Sequence, residues 1–107
     1  MALTAKEIIL NDGQLNFADL LIFNTKNFKG VQISYTVERA EDTEVGDIYL
    51  SFDQFTRTAK ITTIAHFDNV GIIFCADVNE DQVRLLYSST FINIRPVFKY
   101  NVIYFPL

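Results

Sequence analysis

From Gly30 onward the apolar and polar positions alternate with a period of two. Val31, Ile33, Tyr35 and Val37 share one parity against Gln32, Ser34 and Thr36, as in a strand with one face on a core and the other in water. Ile48, Leu50 and Phe52 repeat the pattern against Tyr49, Ser51 and Asp53, and Ala59, Ile61, Thr63, Ala65 and Phe67 share a face over roughly residues 57–67. Residues 70–76 are apolar at both parities, which predicts a central strand covered on both faces, reached by a turn at Asp68-Asn69. Asn79-Glu80-Asp81 predicts a second turn, into a strand over residues 82–88. Two further strands are expected over 90–95 and 97–105, split by Pro96, which has no N–H to give a central ladder. Strands at this spacing belong to a small sandwich or barrel.

The first thirty residues read differently. Thr4-Ala5-Lys6-Glu7 has the form of a capping box, followed by Ile8, Ile9 and Leu10 and a stop at Asn11-Asp12-Gly13, so a short helix is expected near residues 4–10. Asn16-Phe17-Ala18-Asp19 favours a second short helix through Phe23 over a strand. The expected fold is mainly β: a small antiparallel sandwich or barrel of six to eight strands with a short N-terminal helix. An α+β arrangement is the alternative if residues 16–23 and 81–88 are both helical.

Composition supports the strands. Val, Ile and Thr number 29 and the aromatics 15, while Leu and Ala together number 16; β-branched and aromatic side chains suit a pleated, half-buried surface. The 107 residues fit one domain spanning 1–107, large enough for a core without disulfides or metal. Cys75 is the single cysteine, so there is no intramolecular bridge, no zinc spacing, and a reducing compartment is expected. Residues 1–10 carry Lys6 and Glu7 and lack the apolar stretch of a signal peptide, and the longest apolar run, 70–76, is far short of a membrane-spanning helix. The expected location is cytoplasm or virion. A net charge of −4 argues against a phosphate-neutralising face and hence against nucleic acid as partner.

That charge is concentrated. Between residues 38 and 53, Glu38, Glu41, Asp42, Glu44, Asp47 and Asp53 stand against Arg39 alone. A solvated hairpin loop that protects a sheet edge accounts for such a run; a docking surface for a basic partner is the functional reading. Asp77-Val78-Asn79-Glu80-Asp81 opens like a calcium loop, but Gln82 stands where the loop needs Gly and Ser88 where it needs Glu, leaving a hairpin turn. His66 and Cys75 are the one pair suggestive of thiol catalysis. A tight turn at 67–70 would put His66 beside Gly71, with Cys75 about 13 Å further along the ladder. With no serine elbow, phosphate loop or metal-ligand spacing, no catalytic residue, metal ligand or cofactor is assigned, and an enzyme is not expected. The aromatics lack the basic groove of a nucleic-acid stacking platform.

The segment 100–107 is apolar to its last residue, and Phe98, Tyr100, Val102 and Tyr104 on one parity face Val97, Ile103 and Phe105 on the other. More apolar surface than one small core consumes points to an interface. The leading expectation is therefore a structural or interaction subunit of a larger assembly, such as a virion or tail component or another homo-oligomer, anchored by Tyr100, Tyr104 and Phe105. The alternative is a small acidic inhibitor or immunity protein that masks a basic toxin or nuclease through Glu38, Glu41, Asp42, Glu44 and Asp47. In either case the partner is protein, with no membrane.

Overall fold

The computed structural model describes residues 6–53, 55–67 and 69–106. They form eight strands: β1 (Lys6–Ile9), β2 (Ala18–Asn24), β3 (Phe28–Arg39), β4 (Asp42–Asp53), β5 (Thr58–Phe67), β6 (Ile72–Asn79), β7 (Gln82–Ser89) and β8 (Val97–Pro106). A five-stranded sheet has the order β1-β8-β3-β4-β5 and a three-stranded sheet the order β2-β7-β6. Every pairing is antiparallel. This is the mainly-β sandwich that the alternation predicts. Among the described residues no helix is long and apolar enough to cross a membrane.

The inner faces meet in one core. Val31, Ile33, Tyr35 and Val37 of β3 and Ile48 and Leu50 of β4 are buried against Val83, Leu85 and Tyr87 of β7 and Ile72 of β6. Phe98 of β8, fully buried, stacks on Tyr100 with ring centroids 5.3 Å apart and on Tyr35 at 5.6 Å, and meets Phe74 at 5.9 Å. A ring enclosed this way stabilises the fold by about 1.5–3 kcal/mol from burial, with roughly 0.5–1.5 more from ring pairing.

Arg39, the inner-face residue that ends β3, closes one end of the sandwich. It is 2% exposed. Its Nε donates to the Ile94 carbonyl (2.9 Å), Nη1 to the Val70 carbonyl (2.8 Å) and the Thr90 hydroxyl (3.2 Å), and Nη2 to Asp12 and the Thr90 carbonyl (2.6 Å each). One guanidinium thus joins the β1–β2, β5–β6 and β7–β8 connections. Asp12 in turn accepts the Ile92 amide at 2.9 Å. A planar fork with five donors suits such a junction, and a lysine does not.

Several expectations are corrected. Residues 6–9 are strand, not helix: Lys6, Glu7, Ile8 and Ile9 pair with Tyr100, Lys99, Phe98 and Val97, which gives β-branched Ile8 and Ile9 a ladder that four helical residues could not match. Thr4 and Ala5, the start of the capping box, lie outside the described residues. Residues 18–24 are also strand. The helix-like sequence of Ala18, Leu20, Leu21 and Phe23 arises from a register shift between Asp19 and Leu21; a bulge lets adjacent Leu20 and Leu21 both be half-buried. The expected strand over 90–95 is a loop, with Asn93 at φ 62° and its backbone committed to Arg39 and Asp12. Finally, β6 is an edge strand of the smaller sheet rather than a covered central one, and Ile73 on its outer face is 62% exposed. The turn at 79–81 is present, with Glu80 at φ 55° between paired Asn79 and Gln82.

Candidate functional site

The larger sheet is two strands wider than the one packed on it, and part of the surplus falls at β5. Ala59 and Ile61 are half-buried on its inner face, but from Thr62 to Phe67 every residue is exposed, whichever face it points to. β5 pairs with β4 from Glu44↔Phe67 to Asp53↔Thr58 without a register shift and has no strand on its other side among the described residues. The edge has no proline, and Lys60 is its one Lys, Arg, Asp or Glu residue. Proteins usually blunt such edges with bulges, prolines or inward charges; this one is regular and open.

Beside the exposed end of β5, where β6 begins in the other sheet, lies a cleft of about 360 Å³ whose walls include Tyr35, Glu44, Thr63, Ala65, Phe67 and Phe74. Glu44 sits on its wall by strand parity. It shares the inner face of β4 with Gly46, Ile48 and Leu50, and it is 6% exposed. The Tyr35 hydroxyl donates to its Oε2 at 2.8 Å. Gly46, opposite Tyr35 in the ladder, makes that approach possible, since a Cβ there would lie 2.8 Å from the phenol oxygen and 2.9 Å from Cε1. Burial, then the hydrogen bond and charge of Glu44, push the Tyr35 phenol well above its ordinary range, so it stays a donor. Tyr35 is the one hydrogen-bond partner of Glu44, and Glu44 makes no ion pair among the described residues. The arrangement is a carboxylate with spare acceptor capacity at the edge of an open cleft of mixed polar and aromatic lining.

Two further depressions on the outer face of the larger sheet measure about 370 and 500 Å³. Their charged groups include Asp47, which accepts the Ser34 hydroxyl at 2.9 Å, and Lys99, 3.2 Å from Glu38. A gap between the sheets near Phe23, Phe28 and Phe52 holds about 20 Å³, room for a single water. Volume does not choose among these sites; the carboxylate of Glu44, held on one oxygen by Tyr35 and open to the cleft on the other, does.

The residues singled out from sequence are dispersed. Glu38 pairs with Lys99, Glu41 and Asp42 are exposed at the β3–β4 turn, Glu44 points inward and Asp47 lies on the outer face. Tyr100 is a core residue at 8% exposure, while Tyr104 and Phe105 are 46% and 39% exposed; Tyr104 packs on Phe28 at 4.5 Å. His66 lines the rim of the cleft, but Cys75 belongs to the other sheet, opposite Leu86. The 67–70 segment is a crossing between sheets, not a hairpin, and Asp68 lies outside the described residues. Burial and the charge of Asp77 push the Cys75 thiol up, the opposite of activation. No cluster of three or more His, Cys, Asp or Glu is placed to hold a metal among the described residues. The Tyr35–Glu44 pair escaped the sequence reading, although parity carried the signal: Glu44 is in phase with Ile48 and Leu50. No protein-family model matches the chain, and no curated protein matches it significantly.

Proposed function

We propose that the protein is a non-enzymatic structural and interaction subunit that associates with further copies of itself through β5. The observation that supports this reading is the open, ten-residue edge of β5, exposed on both faces over its second half. A two-fold axis at Thr62 would set Thr62 against itself, Lys60 opposite Ile64 and Ala59 opposite Ala65, so no like charges face each other. Such an isologous contact closes as a dimer and joins two five-stranded sheets into one. The inhibitor reading has less support, because Glu38 and Asp47 are paired on the outer face, Glu44 is turned inward, and only Glu41 and Asp42 remain together at the hairpin tip.

Size-exclusion chromatography with light scattering, at low and high salt, tests the proposal. The expected species is a dimer or larger, unchanged by salt, because backbone pairing and apolar contact are little screened. Ile64→Lys, which would face Lys60 across the axis, is expected to yield monomer with the parent's circular dichroism. A parent that stays monomeric at high concentration overturns the reading.

A further inference from the structure

The geometry points to a binding site for a cationic alkyl group, an ammonium or guanidinium on an apolar stem, in the cleft of Glu44, Tyr35 and Phe74. Three independent features carry this. The first is Glu44 itself, more than nine-tenths buried with one oxygen held by Tyr35. No buried side-chain oxygen lacks a hydrogen-bond partner among the described residues, so the second oxygen of Glu44 stays open to the cleft, where a cation can reach it. Arg39, the buried cation of the same hairpin, does not serve, because Asp12 and the carbonyls of Val70, Thr90 and Ile94 take up its donors.

The second feature is the wall. Ala65, Phe67, Ile72 and Phe74 supply apolar surface for a methylene stem, and Thr63, His66 and Asn69 make the rest of the wall polar; aromatic faces attract cations as they lose water. The third is size: about 360 Å³ lies within the range of small-ligand sites and exceeds what one water needs. An anion is disfavoured by Glu44, and a neutral alkyl group would leave the carboxylate as it is. The site does not rest on the association proposed for β5, since the cleft is open in the single chain.

Titration of isotope-labelled protein with n-butylammonium and n-butylguanidinium, followed by amide chemical shifts at constant ionic strength, tests the inference. Saturable shifts centred on Glu44, Ala65 and Phe74 are expected for both cations, with n-butanol at least tenfold weaker. Glu44→Gln should weaken cation binding at least tenfold and bring it level with the alcohol. If Glu44→Gln disturbs the fold, Ala65→Leu provides the second variant: it fills the cleft from exposed β5, leaves the Tyr35–Glu44 pair in place, and should abolish the shifts. An extended peptide with a central lysine separates the sources of the cation. Tenfold tighter binding than butylammonium assigns the site to a partner protein's side chain, and equal binding to a free amine. Equal shifts with butanol, or cation binding unchanged in Glu44→Gln or Ala65→Leu, overturn the site.

Discussion

Arg39 and Glu44 lie on the two strands of one hairpin, both turn to the inner face of the same sheet, and both are almost completely withdrawn from water. Their surroundings are opposite. Arg39 has hydrogen bonds from all three nitrogens to five acceptors on three connections, whereas Glu44 has one bond, from Tyr35, and a cleft in front of it. A buried charge whose bonding is complete belongs to the architecture. One with a single bond and an open cleft before it has capacity for a further partner.

The comparison breaks most visibly at Arg39. Arg39→Met should destabilise the protein by about 3–5 kcal/mol, measured by urea unfolding, because it strips partners from buried carbonyls as well as from Asp12. Arg39→Lys should recover only part of this, since one ammonium cannot span the Val70, Thr90 and Ile94 carbonyls. Gly46→Ala should cost about 1–3 kcal/mol by the same measurement; its methyl group meets the Ile64 carbonyl as well as the Tyr35 phenol. With the phenol displaced from Glu44, its titration, followed by ultraviolet absorbance, should move down toward the ordinary phenol range.

Glu44→Gln is the informative small effect. The amide oxygen still accepts from Tyr35, so stability should change by less than about 1 kcal/mol. A loss as large as that of Arg39→Met would put Glu44 in the architectural class too.

The finest distinction is in pH. The Ile92 amide, with the Arg39 guanidinium and the Asn93 amide, holds the Asp12 carboxyl below its ordinary value of 3.8, although burial opposes them. A depressed folded-state value adds stability above the unfolded-state value that is lost as pH falls through the folded one. The parent's advantage over Asp12→Asn should therefore be full at neutral pH and shrink once pH drops below 3.8, as acid-unfolding curves would record.

These two charges also show how far the sequence could be read. The long strands were legible because alternation over Val31–Val37, Ile48–Phe52 and Ala59–Phe67 reflects one buried face. The same parity carried Arg39 and Glu44 inward, but their charge made them look like members of a solvated acidic run. What parity cannot supply is a partner: Tyr35 meets Glu44 through the pairing register and the missing Cβ of Gly46, and Arg39 finds carbonyls 31 to 55 residues away in sequence. β2 was obscured by its bulge and β1 by its four-residue length, too short for either period to register. The acidic run as a surface was a property of composition, and folding divided it among a hairpin tip, the outer face of the larger sheet and the interior.

The order of strands has a consequence for how the molecule comes into being. β3, the middle of the larger sheet, takes β4 from its immediate neighbourhood but receives its other partner, β8, last in sequence order, with Gly30 meeting Phe105. Nascent chains build from the amino terminus, so the β3–β4–β5 meander can assemble early with one flank of its central strand bare. Because distant pairing is slow, that flank stays exposed longest, and newly made chains that meet in this interval can pair there instead. Expression rate and temperature, more than final stability, should then govern the yield of correctly folded protein.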